Sequence, residues 1–408
     1  MPSSKRRSSA SRALLLTLQY PNRASYYDDW RDAFCGSAEF DCTVVNILGL
    51  EPARLSRMIE DFDAIIMLHS CNSDTLDYFS AIAPFLGDRR RAKLAIFAGN
   101  EYNSPYVSMP DKVRLFRNSR ADIVATQLLA EAGEFLYGEN DYRVISIPHA
   151  LNPDAFQPGK LDAQRRLDIG VKGYRYPAYL GDDDRNRIIN CFQASADRLG
   201  LVVDISEDRR LSREQWGAFL GDCRGTISTE TGTWYLEKDD SLILDIHAYL
   251  KSKRKGLVIS NDGALRRLAR FLPSSVKEVL WSRMRNGPVK FEPLDDFNTP
   301  FEELYERYFR DAVRPPVYGK AVSSRHFDAI GTRTCQIMFR GRFNDILVAD
   351  QHYIALEHDL TNLDEAIARF KDQRERKQIV DRAYDHVMDA HTHAHRVSML
   401  FHELFEAV

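Results

Sequence analysis

The sequence predicts two doubly wound α/β domains whose parallel sheets face each other across a cleft, followed by C-terminal helices. Three observations carry that expectation. Short apolar runs alternate with helix-length amphipathic stretches through the first 150 residues, the alternation stops at a proline-rich joint, and it restarts at Leu167. Strands covered by helices on both faces read as continuous apolar runs, and a repeating strand–helix order is the pattern of a parallel sheet. With 408 residues, 44% of them hydrophobic and 28% charged, the chain is long enough for two separate cores.

Met1 to Arg12, rich in Ser, Lys and Arg, is expected to be a disordered tail. The run Ala13–Leu18 that follows is shorter than the roughly 7–15 apolar residues of a secretory signal. It is the first of six strand candidates. The others are Cys42–Leu48, Ala64–Leu68, Lys93–Phe97, Asp122–Ala125 and Arg143–Ile147. Between them, Glu51-Pro52 opens a helix with proline in its first turn. Asp74–Phe85 is a second helix, Met109-Pro110-Asp111 starts a third, and Gln127–Tyr137 ends on Gly138 as a fourth. The joint formed by Ile147-Pro148-His149-Ala150-Leu151-Asn152-Pro153 and Pro158-Gly159-Lys160 closes a first domain expected over residues 13–158. The second, 159–390, reads as strand Leu167–Val171, helix Arg185–Leu199, strand Leu201–Ile205, helix Ser212–Leu220 and strand Gly225–Ser228. An irregular helical elaboration covers about 239–318, and helix Ser324–Thr332 with strands Cys335–Phe339 and Tyr353–Leu356 resumes the pattern. Helices fill the rest from Leu363, with 391–408 expected as a terminal helix.

Composition excludes several functions. A formal net charge of −3, with both signs interleaved, creates no global field for nucleic acid or an anionic membrane. No stretch approaches the roughly 20 apolar residues of a spanning helix. The cysteines at 35, 42, 71, 191, 223 and 335 have no CxxC or paired spacing, so reduced thiols in a cytoplasm are expected and structural zinc is not.

The most specific segment is Ser324-Arg325-His326-Phe327-Asp328-Ala329-Ile330-Gly331-Thr332-Arg333-Thr334-Cys335-Gln336-Ile337-Met338. Ser323 or Ser324 suits an N-cap, which leaves the next amides free to meet an anion at a helix N-terminus. Arg325 adds a planar, permanent charge suited to phosphate oxygens. Asp328, one turn on, suits the two hydroxyls of a ribose. Spacing alone favours a surface ion pair at i, i+3; the strand that follows and the further blocks that stand in order along the chain tip the reading to a binding element.

That segment resembles the donor-binding element of family-4-like glycosyltransferases, including their spore-maturation-protein-like branch, where a basic residue precedes Phe-Glu-Ala, a turn and a strand. The resemblance continues through Phe343 to Leu347, Tyr353-Ile354, Asp359-Leu360 and Asp364 to Arg396. Further blocks that look alike are Asp168-Ile169-Gly170, Tyr179-Leu180-Gly181-Asp182 to Arg185, Phe97-Ala98-Gly99-Asn100-Glu101-Tyr102, and Ile145 to Phe156. The resemblance implies a GT-B fold of two Rossmann-like domains, an N-terminal acceptor domain, a C-terminal donor domain, and a retaining transfer from a nucleoside-diphosphate sugar. It also shows a departure. Family members carry two glutamates eight residues apart, the first near the donor sugar and the second on the ribose; here the second is Asp328 and the first position is Lys320.

Glu230, in Thr229-Glu230-Thr231-Gly232-Thr233, is the substitute expected to meet sugar hydroxyls, with Thr231 beside it and the Gly232 backbone approaching the diphosphate. A plain turn with Glu230 in solvent is the competing reading. Gly173, Arg175 and Arg185 are expected at another strand end, the arginines neutralising charge on the departing diphosphate. On the first domain, Glu101 and His69 are the candidates for orienting or deprotonating the acceptor hydroxyl, and Asn100 and His149 for binding it.

Metal independence is expected. His391 and His395 are i, i+4 but have no carboxylate or cysteine one turn away, and Asp182-Asp183-Asp184 and Asp239-Asp240 read as caps and turns. No cofactor is expected, the nucleotide sugar being a substrate. Lys251-Ser252-Lys253-Arg254-Lys255 is a solvated basic patch that also suits peripheral contact with anionic lipid. The leading expectation is a glycosyltransferase acting on a glycan or polysaccharide acceptor. The alternatives are a non-catalytic nucleotide-sugar-binding component of a glycan-assembly complex and a nucleotide-sugar epimerase of the same fold.

Overall fold

The computed structural model describes residues 10–20, 27–173, 175–206, 211–253, 258–259, 290–291 and 299–407. An N-terminal lobe is built on six parallel strands in the order β2-β1-β3-β4-β5-β6. They are β1 (Ser11–Thr17), β2 (Phe40–Asn46), β3 (Ala64–Met67), β4 (Lys93–Phe97), β5 (Ile123–Thr126) and β6 (Arg143–Ser146). The central strands are apolar throughout because both faces are covered. Leu14, Leu16, Ile65 and Ile96 pack one way, and Ala13, Leu15, Ile66 and Phe97 the other.

The C-terminal lobe repeats the design with five parallel strands ordered β15-β14-β9-β7-β8. These are β7 (Leu167–Lys172), β8 (Val203–Ser206), β9 (Cys223–Ser228), β14 (Cys335–Phe339) and β15 (Ile354–Leu356). A two-residue antiparallel pair, β10 (Thr231–Gly232) with β13 (Lys320–Ala321), lies beyond the carboxyl end of β9. Within the elaboration are helix Ser241–Lys253, the short parallel pair β11 (Val258–Ile259) and β12 (Lys290–Phe291), and helix Phe301–Leu304 running into a π-turn at Tyr305–Phe309. Met1 to Ser9 of the expected tail, and Arg254 and Lys255 of the basic patch, lie outside the described residues.

Strand order reverses between β1 and β3 in one sheet and between β7 and β9 in the other. Such switch points open crevices at the carboxyl edge of a parallel sheet. The two lobes turn these edges toward each other.

Three findings depart from the sequence expectation. First, β1 begins at Ser11, inside the segment read as a tail, because Ser11 and Arg12 pair in register with Phe40 and Asp41. Second, helix Asp28–Gly36, which the sequence reading leaves unassigned, buries Trp30 and Phe34 one turn apart against the N-terminal sheet. Third, the terminal helix His393–Phe405 belongs to the N-terminal lobe, where Val397, Leu400 and Leu404 join that lobe's core. The chain therefore crosses between lobes twice, and the crossings are tied: Leu151 N–H donates to His391 O at 3.0 Å and His393 N–H to Leu151 O at 2.8 Å.

The histidines of the 391–395 run have structural partners. Arg396 Nη2 bonds His391 Nδ1 at 2.9 Å, His393 packs edge-on against Trp30, and His395 Nδ1 meets Thr392 Oγ1 at 2.7 Å.

Candidate active site

A cavity of about 520 Å³ fills the cleft and takes its lining from both lobes. On the C-terminal wall, helix Ser324–Gly331 points its N-terminus at the cavity. His326 locks that terminus in place. Its Nδ1 accepts from Ser323 N–H at 3.0 Å, so Nε2 carries the proton toward Ser228 Oγ at 3.0 Å, at the end of β9. Burial, reinforced by Arg325, pushes His326 down to about 3, which keeps the ring neutral.

Arg325 lines the cavity, and its Nη1 is buried without a hydrogen-bond partner. A guanidinium left unsatisfied is costly unless a ligand completes it. One turn on, Asp328 Oδ2 accepts from Trp216 Nε1–H at 2.9 Å, and burial holds its carboxyl well above the usual range. Trp216 stands on helix Arg213–Gly221, which a Ser212 capping box starts.

Gly173, Arg175 and Arg185 also line this wall. A Cβ on Gly173 would sit 2.7 Å from Arg185 Nη2, so the missing side chain makes room for the guanidinium. Arg185 is buried and lies over the Tyr176 ring at 5.4 Å. Arg175 bonds Asn190 Oδ1 at 2.6 Å and Gln193 Oε1 at 3.2 Å, which draws it toward helix Asp184–Leu199; its neighbour Tyr174 lies outside the described residues. Thr231 and Gly232 face the cavity. Gly232 has φ +101°, and a Cβ there would meet Gly319 O at 2.4 Å, so only glycine fits.

Glu230 does not face the cavity, contrary to expectation. Its carboxylate turns into the lobe, where Tyr318 OH and Phe343 N–H (2.6 Å to Oε1) satisfy it. Lys320 is buried too, paired with Asp182 and with Asp184 at 3.1 Å. Burial works against its charge, but the two carboxylates outweigh it and raise the ammonium's pKa. The triple-aspartate turn thus anchors a lysine, and the cavity side of β13 presents Ala321.

On the N-terminal wall, Glu101 accepts from Thr126 Oγ1 and from Gln127 N–H, both at 2.6 Å. Burial lifts its carboxyl to about 7. Beneath it, Lys112 donates to Gly99 O at 2.6 Å and Asn100 O at 3.0 Å, and burial lowers it to about 8. Asn100 takes the left-handed conformation with φ 45° and bonds Ser73 O at 3.1 Å. His149 reaches the cavity, its Nδ1 accepting from Trp30 Nε1–H at 3.3 Å, and burial followed by Arg325 lowers it to about 4.

His69 does not reach the cavity. It is fully buried, stacked on Tyr27 at 5.0 Å and His149 at 5.7 Å, with both ring nitrogens unpartnered. Burial holds it well below its ordinary value, so the ring stays uncharged at neutral pH.

Sequence reasoning missed Trp216, His326, Tyr176 and the pair of Asp29 with Arg213. Arg213, on the C-terminal lobe, reaches Asp29 at 2.8 Å and Asp32 at 2.7 Å on the N-terminal lobe, and Asp29 also takes Asn152 Nδ2 at 2.7 Å. His326 carries a local signal, the capping box with Ser323; the others matter because the fold brings distant segments together.

Residues 310–402 match a protein-family model described as glycosyl transferase-like. No curated protein sequence matches the chain. Among solved structures, the chain is similar to an alpha-glucosyltransferase in complex with UDP and a 13-mer DNA containing a central A:G mismatch, at 11% identity and a TM-score of 0.53, covering 97% of this chain and 100% of that one. An alpha-glucosyltransferase with UDP-glucose and DNA containing an abasic site matches at 10% identity and 0.52 over the same shares. Sucrose-phosphate synthase of Thermosynechococcus elongatus matches at 13% and 0.49, covering 98% and 100%. What fold and segment show together is a GT-B fold, two Rossmann-like lobes around a cleft, whose C-terminal segment is similar to a glycosyl transferase-like family. Among the described residues no helix is long and apolar enough to cross a membrane.

Proposed function

We propose that this chain transfers a sugar from a nucleoside-diphosphate donor, held on the C-terminal wall, to a hydroxyl of a glycan acceptor presented at the N-terminal wall. The observation that carries the reading is the unpartnered Arg325 guanidinium at a helix N-terminus in the cleft, one turn from Asp328. Free helix amides and a guanidinium suit a diphosphate. The Asp328 oxygen that Trp216 leaves open suits a ribose hydroxyl. Arg185, beside Gly173, supplies a second cation where charge develops on the leaving diphosphate.

Transfer is retaining and needs no metal ion in this reading. Both Glu101 oxygens already accept hydrogen bonds, which favours proton transfer to the donor's own phosphate oxygen over a dedicated base. The arginines take the part that a magnesium ion would otherwise play, and Asp182 and Asp184 are committed to Lys320. A thermal-shift screen against nucleoside diphosphates and their sugars, followed by an assay of diphosphate release, tests the proposal. The expected result is stabilisation by at least one nucleotide, slow donor hydrolysis, and loss of the shift in Asp328→Ala. Unchanged nucleotide affinity in Asp328→Ala would refute the site.

A further inference from the structure

The walls of the cavity differ in charge. Its cations, Lys172, Arg175, Arg185, Arg213 and Arg325, all stand on the C-terminal wall. Among the described residues, the N-terminal wall contributes no lysine or arginine. Lys112, the nearest ammonium behind it, is buried and spent on two backbone carbonyls. The carboxylates on that wall are committed as well. Asp29 holds Arg213 and Asn152, and Glu101 holds a hydroxyl and an amide.

From this partition we infer that the acceptor unit seated on the N-terminal wall is an uncharged sugar, and not a phosphorylated or uronic-acid residue or a nucleic acid. The inference rests on the proposed donor placement and deepens it. Among the described residues of this wall, an anionic acceptor would meet two carboxylates and no cation beyond Arg213, already held by Asp29 and Asp32, and buried charge without a partner is strongly disfavoured. A cationic acceptor would find both carboxylates already paired. What the wall presents is the side-chain oxygens of Asn100 and Gln127, whose amide nitrogens already donate to Ser73, Asp74 and Ala98, together with the neutral His149 ring. Such groups match hydroxyls. In the transfer, the acceptor oxygen bonds donor C1 as the bond from C1 to the diphosphate oxygen breaks. The hydroxyl proton leaves on the diphosphate, and the products are an uncharged glycoside and the nucleoside diphosphate.

The test uses the full chain with whichever donor it hydrolyses, and matched acceptors: p-nitrophenyl hexosides and N-acetylhexosaminides, their 6-phosphates and the corresponding glucuronides, and a single-stranded DNA oligonucleotide. At least one neutral glycoside should raise diphosphate release over hydrolysis and exceed its anionic counterpart by 10-fold or more. Equal or faster transfer to an anionic counterpart or to DNA overturns the inference, and so does acceleration by no neutral glycoside while hydrolysis proceeds. Absence of donor binding and hydrolysis would instead remove the donor reading beneath it. As a second arm, Gln127→Lys should narrow the gap between neutral and phosphorylated acceptors; a gap unmoved in a folded, donor-hydrolysing variant counts against it.

Discussion

Replacing Asp328 by asparagine should stabilise the free protein and weaken its grip on nucleotide. The carboxyl is 7% exposed and its pKa is raised, chiefly by burial. An acid whose pKa is higher folded than unfolded keeps its proton longer in the native state. It therefore costs no stability below its unfolded value near 4 and an increasing amount as pH rises through the folded value. Asparagine removes that cost while its side-chain oxygen can still accept the Trp216 indole N–H, now 2.9 Å from Oδ2. A gain of about 1 kcal/mol is the usual scale for relieving strain at a functional site, worth about 2–4 °C in Tm for a lobe of this size. Binding moves the other way. A hydrogen bond from a ribose hydroxyl to a neutral acceptor contributes about 0.5–1.5 kcal/mol, so nucleotide Kd should rise about 3- to 10-fold. Differential scanning calorimetry from pH 4 to 8, paired with titration calorimetry of the nucleotide found in the screen, measures both. The Tm advantage of Asp328→Asn should widen as pH rises. A variant less stable than the parent at neutral pH, or one that binds nucleotide equally well, would refute the reasoning.

Three further substitutions separate catalysis, backbone and buried charge. Glu101→Ala should leave nucleotide affinity within about 3-fold, since Glu101 is on the other wall, and lower transfer at least 10-fold by releasing Thr126 and the Gln127 amide; titration calorimetry and initial rates check the split. Gly232→Ala forces a Cβ to within 2.4 Å of Gly319 O at φ +101°, and should cost about 1–3 kcal/mol and weaken nucleotide binding, read as a lower Tm and a smaller ligand-induced shift. Lys320→Met strands Asp182 in a buried site, while Asp184 keeps Arg187 and His358, and should destabilise by about 3–5 kcal/mol at neutral pH, measured by urea denaturation. The loss should shrink as pH falls and Asp182, whose burial already raises its pKa, takes up a proton.

The strands were the legible part of this chain. Lys93–Phe97 and Cys335–Phe339 stand where their apolar runs predict, because a strand buried on both faces has little freedom in composition. Helix Asp28–Gly36 was not legible: four of its nine residues are charged, and only Trp30 and Phe34 mark its inner face. In the site, the helix opening at Ser324 was readable from local capping and charge, and Arg325 and Asp328 do line the cleft. Glu230 was misread because a strand end looks the same in sequence whichever way its carboxylate turns. Its direction is decided by Tyr318 and the Phe343 amide, 88 and 113 residues away. His69 was misread for a related reason. A histidine after an apolar strand reads as polar until Tyr27, Trp30 and Phe97 are seen packed around it.

Trp216 joins Asp328 to the contact between lobes. Its indole fixes Asp328, and three residues earlier in the first turn of the same helix Arg213 holds Asp29, which in turn takes the amide of Asn152 in the segment joining the lobes. The Asp29 contact is one of two ties from that first turn to the N-terminal lobe, the other being Asp32, so the setting of Asp328 is expected to respond to how the lobes meet. Spatial succession alone does not establish coupling, and a double-mutant cycle does. Asp29→Asn leaves Arg213 with Asp32 and should weaken nucleotide binding about 3- to 10-fold although it touches no donor group. Trp216→Phe removes the indole donor and should weaken it about 10-fold. If Asp29 acts through Trp216, the double variant should bind about as weakly as Trp216→Phe alone, a coupling of about 1 kcal/mol by titration calorimetry. Additive losses would mean that Asp29 holds the lobes together without setting Asp328.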